Sequence, residues 1–132
     1  MAPHTLVFTG MRWHVRAYCE KNRAYRDFVL SRFRGEPDLM DESEHTREQD
    51  EAWNTPVTVL IEPDARLSPA QKAIIEVDYG MLDGQLPVET RGALVQYVLQ
   101  RFGIDPNTVQ ANAAAQQLQV GNLQALKGWL YS

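Results

Sequence analysis

The sequence predicts an α+β protein: a β-rich segment at about 1–35, an acidic connector at 36–53, and a small α/β lobe at about 54–132. Three observations carry that prediction. Between Thr5 and Phe33 apolar and polar residues alternate with period two, interrupted by glycine and Asn/Lys-rich turns. Beyond Leu67 the apolar residues return at helical spacing between capping signals. Charge is also segregated: residues 1–34 hold seven Lys/Arg against two acids, whereas 36–51 hold eight acids against Arg47, within a net charge of −4.

A chain of 132 residues suffices for one medium domain or two thin-cored lobes. Apolar runs such as "VTVLI" fall far short of the roughly 20 residues a membrane span needs, and no basic-then-apolar leader opens the chain, so a cytoplasmic location is expected. The single cysteine, Cys19, excludes an internal disulfide framework and a cysteine-rich zinc site.

"TLVF", a "TGM" turn, "RWHVRAYC", a polar "EKNRA" turn and "YRDFVLSRF" read as a three-stranded antiparallel meander. Three strands alone leave edges and a face uncovered, so further strands or a partner are expected to complete the sheet. The connector, which has no apolar period, reads as solvated, with a short helical turn before Trp53. "PVTVLIEP", bracketed by Pro56 and Pro63, suits an edge strand or one with defined ends. Ser68 and Pro69 then signal an N-cap and first helical turn, Ala73, Ile74, Val77 and Met81 recur at helical spacing, and Gly80 is the stop. After the "DG" turn at Asp83, a second amphipathic helix carries the stripe Leu94, Val95, Val98, Leu99 and Phe102 up to Gly103. "QLQV" is a short strand, and Asn122 is placed to cap a last helix through Trp129. Trp129 and Tyr131 are expected to serve as lid or partner contacts. The order in this lobe is thus strand, helix, helix, strand, helix.

"RWHVRAYC" is the most informative stretch. One side of this strand carries Trp13, Val15, Ala17 and Cys19, expected to bury against Val7 and Leu30. The other side carries His14, Arg16 and Tyr18. With strands about 4.8 Å apart and a rise of about 3.3 Å per residue, Arg16 and His14 lie within about 10 Å of Arg26 and Arg32 on the next strand. Arg26 and Arg32 share a side with Phe28 and Leu30, so bringing all the cations to one face requires a twist or bulge. Gathered guanidinium forks repel unless an anion lies between them, and their planar geometry matches phosphate or carboxylate. The residues therefore admit two readings: a site for an anionic ligand, with Tyr18 and His14 as stacking surfaces, or arginines self-neutralised by Asp27, Glu20 or the acidic connector.

"PHTLVFTGMRWHVRAYC" and "YRDFVLSRF" together resemble the core of a WYL domain, in which P-H-x-L-V and a glycine turn precede R-W-(Y/H)-(L/V)-R-A-Y-C and R-D-F-x-L-x-R-(I/F). Trp13, His14 and Val15 stand where the family has its name-giving Trp-Tyr-Leu. "DYGMLDGQLPVETRGALVQYVLQRFGID" resembles the C-terminal extension of WYL-containing bacterial transcription regulators associated with BREX and CBASS phage-defence islands. The resemblance implies a partial Sm/SH3-like β-barrel followed by a small α/β lobe that dimerises. It further implies a ligand-sensing module that binds a nucleotide or single-stranded nucleic acid through His14, Arg16, Tyr18, Arg26 and Arg32, with His4 as an additional position. The winged helix-turn-helix and first barrel strands of the family are not in this sequence. Duplex DNA binding is therefore not expected of it, and the sheet is expected to be completed by further chain or by a second copy.

Other chemistry is not indicated. Cys19 is expected to be a buried, inert thiol on the apolar side of its strand. His4, His14 and His45 lack metal-ligand spacing, and no phosphate loop, dinucleotide fingerprint or nucleophile elbow is present. No cofactor, no metal and no catalysis are expected. The alternative to ligand sensing is a dimerisation or structural domain whose arginines only pair with carboxylates.

Overall fold

The computed structural model describes residues 2–10, 12–29, 46–106 and 116–130. It divides into two compact units, Met1–Asn54 and Thr55–Ser132, each built around its own three-stranded antiparallel sheet.

In the first unit β1 (Ala2–Phe8), β2 (Trp13–Cys19) and β3 (Ala24–Val29) form the expected meander with β2 central. Pairing of β2 with β3 runs without irregularity from His14 opposite Val29 to Cys19 opposite Ala24. The bulge is instead in β1, between Pro3 and Thr5, where His4 is the extra residue. Because side chains alternate across a strand, one face carries His14, Arg16 and Tyr18 with Val29, Asp27 and Tyr25. The other carries Trp13, Val15, Ala17 and Cys19 with Phe28, Arg26 and Ala24. A 3-10 turn at Arg47–Gln49 and a single helical turn, α1 (Glu51–Asn54), complete the unit. Val15 and Ala17 are buried as expected, but Leu6, Phe8 and Trp13 are each more than half exposed. The expected packing of Trp13 on Val7 does not occur: Trp13 pairs with Phe8, and Val7 stands opposite His14 on the other face. Leu30 lies outside the described residues.

In the second unit the strand order is β5-β4-β6, formed by β4 (Pro56–Pro63), β5 (Leu86–Arg91) and β6 (Leu118–Val120). β4 is central rather than an edge, and its prolines sit at its ends, where a missing N–H costs little. β5, between α2 and α3, is absent from the order expected of the sequence; it carries Pro87, which an edge strand tolerates. Val59 and Ile61 of β4 form the core with Ile75 of α2 (Pro69–Asp78), Val95 and Leu99 of α3 (Val95–Arg101), and Leu126 of α4 (Leu123–Leu130). Helix α2 begins in a full capping box, in which Ser68 Oγ accepts from the Gln71 N–H and Gln71 Oε1 accepts from the Ser68 N–H. Of the expected stripe, Val95 and Leu99 are buried in the core and Val98 and Phe102 pack against it partly buried, whereas Leu94 is half-buried in the 3-10 turn Gly92–Leu94 that precedes α3. The side chain of Asn122 bonds β4, accepting from the Leu60 N–H and donating to the Thr58 carbonyl. Trp129 is a core contact rather than a lid, packed over Gly92, and Tyr131 lies outside the described residues.

A methyl group on Gly92 would come within 2.5 Å of Trp129 Cε3, whereas one on Gly128 meets nothing within 4 Å. Gly92→Ala is expected to destabilise the second unit by about 1–3 kcal/mol through overpacking. Gly128→Ala, inside α4, should stabilise it by about 0.5–1 kcal/mol. Urea denaturation of the two variants measures both signs.

Candidate functional site

The polar face of the first sheet is assembled around one carboxylate. Arg16, central on the central strand, projects from a position flanked on both sides by backbone ladders, which fixes its stem. Its Nε donates to Asp50 Oδ2 at 2.8 Å and its Nη2 to Asp50 Oδ1 at 3.1 Å, a two-pronged match of fork to carboxylate. Its Nη1 donates to Oδ1 of Asp27, its cross-strand neighbour, at 3.4 Å. The bulge in β1 aims His4 into the same place, with His4 Nε2 at 2.9 Å from Asp50 Oδ2. Since a carboxylate only accepts, Nε2 carries the proton there, and Nδ1 faces the Thr5 hydroxyl.

Asp50 sits between the 3-10 turn and α1, and its Oδ1 also accepts the Trp53 N–H, as a helix N-cap does. It thus receives four donors, filling the acceptor capacity of an ionised carboxylate. The side chains of His4, Arg16 and Asp50 are at most 8% exposed. Burial alone favours the neutral acid; hydrogen bonds from Arg16 and His4 outweigh it and hold the Asp50 carboxyl below its ordinary pKa. For Arg16 burial again opposes charge, and Asp50 and Asp27 more than reverse it, raising the guanidinium pKa. Aromatic rings wall the pair. His4 meets Trp53 and Tyr25 edge-on at 5.6 and 5.8 Å, Tyr18 meets Tyr25 at 5.3 Å, and the Tyr25 hydroxyl donates to the Thr46 carbonyl.

His4, Arg16 and Tyr18 are therefore brought to one cluster, and His14 lies on the same face at the next position along β2. Arg26 does not join them. With no bulge in β3 it stays opposite Ala17, exposed on the far face of the sheet. Arg32 lies outside the described residues. The self-neutralised reading holds for Arg16, through Asp27 and the connector's Asp50. The connector is accordingly not solvated throughout: Glu48 and Glu51 are exposed, but Asp50 is buried. Asp50 and Trp53 are the cluster residues that the sequence does not single out; their only local signal is an Asp three positions before a Trp at a helical start. Cys19 is half-buried rather than buried. Hydrogen bonds from the Asn22 backbone and side chain lower its pKa. Among the described residues no group of three or more His, Cys, Asp and Glu is placed to hold a metal, and no helix is long and apolar enough to cross a membrane.

The depressed Asp50 pKa means that the unfolded chain takes up the proton first as pH falls. Its contribution to stability is present above the ordinary carboxyl value of about 4 and is lost on acidification through the lower folded value. Hydrogen exchange of the β2 amides should accelerate as pH drops below about 4, after correction for intrinsic rates. Asp50→Asn should lower protection at neutral pH and flatten that pH dependence.

Residues 56–126 match the family described as BrxR transcriptional regulator, C-terminal dimerization domain, and residues 1–35 match the WYL domain. The chain is similar to proteins named DNA-binding transcriptional repressor CapW. It is 38% identical to that of Pseudomonas aeruginosa over 127 residues, 96% of this chain and 42% of the relative. It is 33% identical to that of Stenotrophomonas maltophilia over 137 residues, 98% of this chain and 44% of the relative. With that of Escherichia coli strain KTE188 the identity is 38% over 120 residues, 91% and 39% of the two chains. The chain spans less than half the length of these curated relatives. With a WYL domain followed by this dimerization domain, it belongs to the BrxR family of transcriptional regulators.

Proposed function

We propose that this chain is the ligand-sensing and dimerising part of a cytoplasmic bacterial transcriptional repressor in phage defence, and that an anionic ligand competes with Asp50 for Arg16 and His4. The ligand class is a nucleotide or single-stranded nucleic acid. The observation that carries the reading is the seating of Asp50 in the Arg16 fork: a carboxylate from a segment far along the chain occupies a position whose donors suit a phosphate equally well. Tyr18, His14 and the ring of Tyr25 lie beside it as stacking surfaces for bases. Release of Asp50 would free the 46–54 segment, which makes occupancy of the fork a conformational signal rather than a passive contact. Arg26, on the far face, has no part in this site. Contact with duplex DNA, which the relatives' name states of them, is not part of this proposal.

The second reading, a dimerisation domain with no ligand, is favoured by the completeness of the Asp50 bonding. One titration separates the two. Labelled oligothymidylate is expected to bind the wild-type chain weakly at low salt and to weaken steeply as salt rises. Asp50→Asn, which keeps the shape but removes the internal competitor, should bind more tightly, and Arg16→Ala in that background should abolish binding. Failure of both wild type and Asp50→Asn to bind oligothymidylate or any nucleoside triphosphate at low salt overturns the sensing reading and leaves the second.

A further inference from the structure

Helix α2 is amphipathic the wrong way round. At 100° per residue, Ala70, Ala73, Ile74 and Val77 fall on one face, and that face points to solvent. Ile74 is 60% exposed and Val77 80%, and Ala70 and Ala73 are exposed beside them. The helix is anchored from the opposite side by Ile75, its one buried residue, with Lys72 and Glu76 half-buried on the flanks. Leu82, in the turn that follows, is 80% exposed. A lone exposed apolar residue needs no explanation, but a contiguous uncharged helix face marks a contact surface.

We infer that this outer face of α2 is where two copies of the chain pair, a conclusion that rests on the dimer reading above and gives it a location. The occupant is a second copy because the family matched by residues 56–126, which include α2, is described as a dimerization domain. A two-fold interface must be self-complementary, and this face can be. Two α2 helices laid antiparallel would set Ala70 of each against Val77 of the other, with Ala73 and Ile74 near the axis. The two alanines provide the shallow side that lets helices approach to about 8–10 Å, and Ile74 and Val77 provide the ridge that fills it. The face is also held in place before any partner arrives, by the capping box at Ser68 and by the αL residue Gly80 after its last turn.

Sedimentation of the chain over a concentration series, compared with the Ile74→Glu/Val77→Glu double variant, tests the inference. Both residues are exposed, so the variant should keep the wild-type circular dichroism, while its melting transition should lose the concentration dependence that a dimer confers. The expected result is a wild-type dimer whose dissociation constant rises about 30-fold or more in the variant, as removal of central contacts does. Independently, Ala73→Cys in a Cys19→Ser background should form an inter-chain disulfide under mild oxidation, whereas Arg101→Cys in the same background should not. A dimer that persists unchanged in the glutamate variant, without Ala73→Cys cross-linking, overturns the α2 surface and leaves the dimer reading intact. A wild-type chain that remains monomeric at every concentration overturns both.

Discussion

The first unit depends on a buried ion pair. A three-stranded sheet is near the lower limit of independent stability and needs a covered face, and the polar face of this one carries an arginine at its centre. Taking that guanidinium out of water costs several kcal/mol, and what makes it tolerable is the saturation of the pair. Asp50 answers the fork with both oxygens, Asp27 takes a further N–H from across the ladder, and His4 and the Trp53 amide fill the remaining acceptor sites. Among the described residues no buried side-chain nitrogen or oxygen is left without a partner. The same bonds hold the 46–54 segment onto the sheet, so the electrostatics and the architecture of this unit are one problem. Under the proposed reading, an anion that took the fork from Asp50 would also detach the 46–54 segment from the sheet.

The second unit is held by conventional means. β4 inserts Val59 and Ile61 under three helices, and Leu99 and Leu126 close over them. Its departure from an ordinary small domain lies in how little of α2 this core uses. One isoleucine anchors ten residues, and the apolar side that would normally be spent on the core is turned outward. A face of that kind marks a contact surface, and residues 56–126, which include it, match a family described as a dimerization domain.

Much of the fold was readable because it is written locally. The period-two meander, the Ser68-Pro69 helix start, the Gly103 stop after the Leu99 stripe and the Leu118–Val120 strand all depend on neighbours within a few residues. What was missed depends on distant pairing. Register decides that Arg26 stands opposite Ala17 and not beside Arg16, and register is a property of two strands. The bulge that the sheet does have is in β1, where it turns His4 inward. Asp50 lies 34 residues from Arg16, one of eight carboxylates between 36 and 51, and its one local mark, the Trp three positions on, says nothing of Arg16. The helical spacing of Ala73, Ile74 and Val77 was correct, but spacing alone does not say which side of a helix the sheet will take. Cationic residues on a strand indicate an anion, from a ligand or from the chain; which of the chain's own carboxylates answers Arg16 is visible only in the fold.

The claim on which the account rests is that Arg16 and Asp50 act as a unit, and a double-mutant cycle tests it directly. Arg16→Met, Asp50→Leu and the double variant would be compared with wild type by the denaturant dependence of β2 amide exchange. Each single change strands a buried charge and is predicted to cost about 3–5 kcal/mol, while the double change, apolar on both sides, should cost much less than their sum, giving a coupling of about 2 kcal/mol or more. Two costs that simply add, to within about 0.5 kcal/mol, would contradict the account and show that the pair does not hold the unit together.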